Sequence, residues 1–458
     1  MKSRTNFILM VVAICIAHPG AAQEMSPFLF GQNHWMEQND ERNRPGYLSI
    51  LWPKVKESGI KTVRIGGGGY ERRLPALPKL TGIIDSIQSI GAEPILQVPS
   101  HYSSKQASDL VNHFNKNPKR KPIKFWSIGN EPLLRVRHDS EAMLKKLEEV
   151  YVFIMRLAPA LKTADPNIQV LIYDGAGMPI ENTENLNYEA YEALVGGRLD
   201  VTGKDKNGNY FVDGINWHIY PNRGEYSRDH VIFSAIHSVK DATIKINDLI
   251  EKANTKHGRK GENKLKWGLT EVNVNAGNPD REISGIGCPS FLGGQFIAEV
   301  YGIGLEYGAY TVAPWCINET DRVRTDFGYL GLPMDFHPRS SYYHTKMMAQ
   351  NMQGAFLPTS SSNAYVKTIA TQSEQEICVM ILNRDKFNDF EFDLTLKDEV
   401  FSKKPLIMEA NVGLDVVITG NIPRQTTMMY VLSKSGEVIK HYTYGVDHNM
   451  KHLPPELK

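Results

Sequence analysis

Three things are scarce in this chain, and each scarcity closes off a class of protein. Net charge is almost absent. With 52 Lys and Arg against 51 Asp and Glu in 458 residues, no surface is held to nucleic acid or to anionic lipid by charge alone. Cysteine is rare, at four residues, and no Cys or His spacing matches a metal site. Long apolar runs are missing too: Phe7 to Ala17 falls far short of the roughly 20 residues that span a bilayer, and no later uninterrupted run reaches that length. What is abundant is ordinary globular material, 41% hydrophobic and 22% charged. The length fits three average domains, or two if one is a barrel of about 250 residues.

The N-terminus reads as an export signal. Lys2 and Arg4 precede the apolar run, and Gly20, Ala21 and Ala22 supply small residues for cleavage after Ala22. Cys15 is a poor lipid-attachment site because bulky Ile14 precedes it. Removing residues 1–22 takes away Lys2 and Arg4 and leaves 50 − 51 = −1, still near neutral. The expected mature protein is exported, without stable membrane insertion. Its three cysteines, Cys288, Cys316 and Cys378, leave at least one unpaired. Either Cys288 bridges Cys316 or all three are buried thiols.

From residue 23 to about 354, short β-rich runs alternate with longer amphipathic segments, as in βα units of a parallel sheet. Eight candidate strands follow in order: Phe28 to Gly31, Thr62 to Ile65, Ile95 to Pro99, Phe125 to Ile128, Val170 to Tyr173, Ile215 to Ile219, Trp267 to Leu269 and Tyr310 to Ala313. Helical candidates lie between them, among them Gly82 to Ile90, Glu141 to Leu161 and Val231 to Ala253. Eight such units make an α/β chain with a (β/α)8 TIM barrel. From residue 355 to 458 the runs become short and β-branched with Asn, Asp, Gly and Pro between them, the texture of a smaller all-β sandwich. Its expected strands include Ala364 to Ile369, Glu376 to Leu382, Phe390 to Leu396, Leu406 to Asn411, Val416 to Ile418 and Thr426 to Leu432. Ser433 to Lys458 is either a further strand or a loose tail.

In such a barrel the functional groups stand at the C-terminal strand ends. Strand four ends in Gly129-Asn130-Glu131-Pro132, and strand seven in Thr270-Glu271-Val272-Asn273. Strands three apart in an eight-membered ring bring two long Glu side chains face to face across the mouth. A pair of carboxyls, one protonated to serve the leaving oxygen and one ionised to attack the anomeric carbon, is the equipment of retaining glycoside hydrolysis. Glu131 is the candidate acid/base, kept protonated by partial burial and by the other charge, and Glu271 the candidate nucleophile, held ionised by Arg64 at the end of strand two. The Asn130 amide is suited to a sugar hydroxyl. His218 and Tyr220 alternate with Ile219 and so share one face of strand six.

On these residues the chain resembles clan A of the glycoside hydrolases, retaining (β/α)8 enzymes with the acid/base on strand four and the nucleophile on strand seven. The resemblance implies that Arg64 neighbours the nucleophile, that His101 lines the sugar subsite, and that the Tyr220 hydroxyl bonds the nucleophile beside His218. It also implies that Trp315 is the sugar-stacking platform. His34, Trp35 and Asn273 are weaker candidates. Accessory sandwiches like residues 355–458 accompany several clan families, and the segment Ala276 to Pro289 after strand seven fits no one of them. The expected partner is therefore a carbohydrate substrate, with no metal or organic cofactor and no nucleic acid. The competing expectations are a non-catalytic carbohydrate-binding protein on the same scaffold, marked by loss of one carboxylate, and a metal-dependent hydrolase needing clustered His and carboxylate ligands. Two further motifs read as structural. Gly66-Gly67-Gly68-Gly69 lacks the Lys-Ser/Thr of a phosphate loop and is expected to form a flexible wall with no helix behind it. Lys204 to Asn209 lacks the bidentate Glu of a calcium loop.

Overall fold

The computed structural model describes residues 10–13, 24–35, 46–136, 139–175, 186–221, 227–275, 280–319, 326–331, 336–396 and 416–458. The cleavage site at Ala22 and the expected strand Leu406 to Asn411 lie outside them, as does the start of the segment Ala276 to Pro289. Eight parallel strands pair in sequential order: β1 (Gly31–His34), β2 (Thr62–Ile65), β3 (Glu93–Val98), β4 (Phe125–Ile128), β5 (Gln169–Gly175), β6 (Gly214–Ile219), β7 (Lys266–Val272) and β8 (Thr311–Val312). A bridge between Phe30 and Val312 closes the ring, giving the expected barrel.

Helices cover its outside: α1 (Gly46–Glu57), α2 (Gly68–Arg72), α3 (Leu77–Ser89), α4 (Ser104–Asn115), α5 (Ser140–Ala164), α6 (Leu186–Leu194), α7 (Ile236–His257), α8 (Phe291–Glu306) and α9 (Ser340–Asn351). A π-helical turn, His230–Ala235, leads into α7. Local chemistry fixes several of these starts. Ser103 and Gln106 form a reciprocal capping box on α4, while Asp139 and Ser290 accept from the first-turn amides of α5 and α8.

The barrel interior changes character along its axis. Its N-terminal end is plugged by Ile95, Phe125, Leu171 and Tyr310 with Phe28 against them, the rings of Phe28 and Tyr310 each 5.1 Å from Phe125. One layer up the side chains are hydroxyls and amides: Thr62 meets Thr311 at 2.7 Å, and Asn216 takes a hydrogen bond from Tyr310 and gives one to Ser127. At the C-terminal end the inward side chains include Asn33, Arg64, His218 and Glu271. The strand period of two sets these layers, and the same period sends Val63, Trp126, Trp217 and Leu269 outward into the main core.

The first strand differs from expectation. Phe28 belongs to the plug, and the strand itself is the polar Gly31-Gln32-Asn33-His34, buried throughout. A polar run of low β propensity holds here because it lies between β2 and β8 inside the closed ring; a Cβ on Gly31 would stand 2.4 Å from the Thr62 hydroxyl.

The second region begins at β9 (Ala355–Leu357), where the sequence texture shifts. Its strands are β10 (Val366–Gln372), β11 (Glu376–Asn383), β12 (Phe390–Leu396), β13 (Val416–Ile422), β14 (Thr426–Ser433), β15 (Val438–Gly445) and β16 (Glu456–Leu457). One antiparallel sheet runs β9-β10-β11-β14-β15-β16, and β12-β13 form the other with a short parallel strand from Met10–Ala13. Ser433 to Lys458 thus holds a strand, β15, and the short helix α10 (Val446–Met450) rather than a loose tail. Strand β11 is buried on both faces. Ile377, Val379 and Ile381 pack between the sheets, whereas Cys378, Met380 and Leu382 join the barrel's core. Helix α8, buried from Phe291 to Leu305, fills that junction, which is why it is apolar all round. Cys288, Cys316 and Cys378 are all buried free thiols, so the Cys288–Cys316 bridge is not formed.

Candidate functional site

The mouth of the barrel is built around one buried cation. Arg64, fully buried on β2, donates to Glu271 Oε1 at 2.8 Å, to Asn33 Oδ1 at 2.9 Å and to Asn130 Oδ1 at 2.7 Å. Asn33 is itself clamped: its amide donates to the carbonyls of Thr270 and Ala313, both at 2.8 Å. An orienting shell of this kind lets a guanidinium stay charged without water.

Glu271 owes its direction to a bulge. On β7, Gly268 points inward, and strict alternation would send Thr270 inward and Glu271 out. The β6–β7 register instead jumps, with Trp217 opposite Leu269 and His218 opposite Glu271. The extra residue, Thr270, restores Glu271 to the inner face beside His218. Its Oε2 accepts from the Tyr220 hydroxyl at 3.1 Å. Glu131 reaches the same space by another device, a left-handed backbone with φ of 44°, strained for a residue with a side chain and doubly so before Pro132. Its Oε1 lies 3.0 Å from His218 Nδ1, which is 3.7 Å from Glu271 Oε2. One oxygen of each carboxylate and a ring nitrogen of His218 all fall within 4.8 Å of one another.

Electrostatics at Glu271 differs from the sequence expectation. Burial pushes the Glu271 carboxyl above its usual range, and the Glu131 charge adds to the rise; His218 and Arg64 pull the other way without overcoming it. What favours the ionised form of Glu271 is local: His218, the Arg64 cation and the hydrogen bond from the Tyr220 hydroxyl. Burial and the two glutamates push Tyr220 well above an ordinary phenol, so it remains a donor. The Cys316 thiol is likewise pushed far up by burial and by Glu319, which removes it as a nucleophile.

Trp315 closes one side. Its indole donates to Glu319 at 3.3 Å, the Asn273 amide donates to its carbonyl at 2.5 Å, and its ring lies against Gly67. The glycine run is therefore a fitted turn rather than a flexible wall. A Cβ on Gly66 would stand 2.5 Å from the Arg64 guanidinium carbon, one on Gly67 2.8 Å from the Trp315 ring, and α2 begins directly at Gly68. The Gly67 amide donates to Gln97, which donates in turn to Glu71. Burial raises Glu71 despite its hydrogen bonds from Ser100 and Gln97.

Of the residues expected here, Arg64, Asn130, Glu131, His218, Tyr220, Glu271 and Trp315 are brought together. His101 is not: it is exposed and edge-on to Tyr102 at 5.4 Å. His34 faces outward beneath Tyr70, 2.6 Å from its hydroxyl, and burial pushes it down to about 4. Asn33, Gln97, Glu71 and Glu319 were missed. The signal for the first two is a polar side chain inside a buried strand; for Asn33 it was hidden by placing strand one three residues early. The cluster of His218 with two carboxylates has the spacing of a cation site, but Arg64 already supplies the positive charge at Glu271.

No family model matches this sequence, and a search of curated proteins finds no relative. Solved structures do resemble it. A family 51 α-L-arabinofuranosidase from Bifidobacterium longum superposes with a TM-score of 0.63 at 14% identity, over 92% of this chain and 99% of that one. A bifunctional glucanase-xylanase from a metagenome library gives 0.61 at 11%, over 93% and 99%, and a family 44 xyloglucanase from Paenibacillus polymyxa 0.56 at 11%, over 93% and 99%. At such identities the likeness establishes the fold: a (β/α)8 barrel with a β-sandwich, shared along nearly the whole length with glycosidases of families 51 and 44.

Proposed function

We propose that this protein is a retaining glycoside hydrolase that cleaves O-glycosidic bonds of a polysaccharide or oligosaccharide, with Glu131 as acid/base and Glu271 as nucleophile. The observation that carries the reading is a carboxylate pair with one oxygen of each within 4.8 Å of the other, one member bound to a buried arginine. Retaining enzymes hold their carboxyls about 5–5.5 Å apart, whereas inverting ones leave about 6.5–9.5 Å for a water.

The chemistry follows from the contacts. Glu271 attacks the anomeric carbon while Arg64 and Tyr220 hold its two oxygens. Glu131 gives its proton to the leaving oxygen, then takes one from the water that releases the glycosyl-enzyme. His218 fixes the Glu131 carboxyl, Asn130 meets a sugar hydroxyl, and Trp315 supports the ring. The protein is exported after cleavage near Ala22, which removes the Met10–Ala13 strand and leaves the β12–β13 pair. No helix among the described residues is long and apolar enough to cross a membrane.

The test is hydrolysis of a panel of aryl glycosides and polysaccharides by the mature protein, with Glu271→Ala beside it. Turnover that vanishes in the variant upholds the proposal and names the sugar. Saturable binding without turnover moves the protein to the carbohydrate-binding class. Turnover abolished by a chelator moves it to a metal mechanism on the Glu131, His218 and Glu271 cluster.

A further inference from the structure

A groove of about 620 Å³ opens beside the loop that carries Glu131, within the roughly 300–1,000 Å³ of ligand sites. Asn130 and Pro132, the two neighbours of Glu131, form its inner wall, so an occupant would lie against the acid/base loop itself. The outer wall is α5, where Val152 and Phe153 supply apolar surface. Val152 is 57% exposed. Glu71 and Ser100 line the inner end. Glu71 takes three hydrogen bonds, from the Ser100 amide, the Ser100 hydroxyl and Gln97. These lock its orientation and leave acceptor capacity, since a carboxylate has about four acceptor sites. Arg156 donates to the Ser100 carbonyl at 2.6 Å and keeps further donors toward the groove.

The charged side chains that line the groove, three of each sign, cancel. A polyanion or polycation gains nothing there. A neutral sugar ring gains both ways, its C–H face against Val152 and Phe153 and its hydroxyls on Glu71, Ser100 and Arg156.

We propose that this groove is a second saccharide subsite, continuous with the barrel mouth past Asn130, which holds neutral sugar units of a chain or branch attached to the bond being cleaved. It rests on the glycosidase reading and deepens it, making an oligomer rather than a simple glycoside the preferred substrate.

Val152→Trp fills the groove from an exposed helical position, and Arg156→Gln removes its cation. The measurement is kcat/KM for neutral xylo-, cello- and arabino-oligosaccharides of about four to six units, relative to the aryl glycoside of the same sugar. With thermal stability unchanged, that ratio should fall about tenfold or more in Val152→Trp and by a smaller factor in Arg156→Gln. A ratio within about twofold of wild type in both variants overturns the proposal. If nothing is hydrolysed, the glycosidase reading fails separately, and calorimetric titration with the same oligosaccharides decides the groove. Binding weakened about tenfold by Val152→Trp supports it, and absent or unaltered binding refutes it.

Discussion

Two glutamates share one cavity and are told apart by their neighbours. Glu271 has a guanidinium and a phenol hydroxyl; Glu131 has an imidazole and a strained backbone. A proton donor matters in proportion to the basicity of the leaving group. Glu131→Ala should therefore lose about 10²–10⁴ in kcat on natural oligosaccharides, yet retain most of its rate of cleavage on activated aryl glycosides. Equal losses on both substrates would remove Glu131 from the acid/base role. The raised carboxyl of Glu271 has its own signature. A nucleophile must be ionised, so kcat/KM should fall as the pH drops through its pKa, and burial displaces that acid limb above the usual carboxylate range. A profile flat down to pH 4 would contradict the assignment of the buried group.

At the scale of elements, the site depends on where strands stop alternating. Barrel order, strand-end positions and the inward pairing of His218 with Tyr220 were legible because they follow from runs of apolar residues and a period of two. The bulge at Thr270 was not, since nothing in Leu269-Thr270-Glu271 announces a skipped position, and strand-end placement rather than facing is what points to Glu271. Asn33 was lost with the misplaced first strand, whose polar residues are held by their neighbours rather than by propensity. His101 follows strand three by three residues, and the chain there leaves it exposed. The glycine turn offers the sharpest contrast. Gly67 has φ of 101° and no space for a methyl against Trp315, whereas a Cβ on Gly68 meets nothing within 4 Å. Gly67→Ala should cost about 1–3 kcal/mol of stability and, by displacing Trp315, at least about tenfold in kcat/KM. Gly68→Ala should leave both near wild type. Kinetics and thermal melts on the two variants check this, and equal behaviour would mean that the turn does not hold the indole.

Over the whole molecule, barrel and sandwich share a core. Arg384, after β11, pairs with Glu299 of α8 at 2.7 Å, both buried, and also donates to the carbonyls of Ile232 and Ala364. Near it His344 of α9 spans the junction, its Nδ1 at 2.8 Å from the Ser340 carbonyl and its Nε2 at 2.7 Å from the Thr427 hydroxyl of β14. Burial pushes this imidazole from 6.5 down to about 4. Between those values the unfolded chain binds a proton that the folded one refuses. Stability therefore declines as pH falls through that window, by about 3 kcal/mol at the limit for one such group. His344→Gln should flatten the melting temperature against pH between about 6.5 and 4, with His34 accounting for part of the remainder; an unaltered slope would place the acid sensitivity elsewhere.

Double displacement on the Glu131 and Glu271 carboxylates carries a stereochemical signature, which is its most direct readout. Proton NMR of the sugar first released from a cleaved oligosaccharide, recorded before mutarotation, distinguishes the two outcomes. Retention of the substrate's anomeric configuration is the result expected from carboxylates within 4.8 Å. Release of the opposite anomer would contradict the proposal, because inversion places a water molecule between carboxyls held about 6.5–9.5 Å apart.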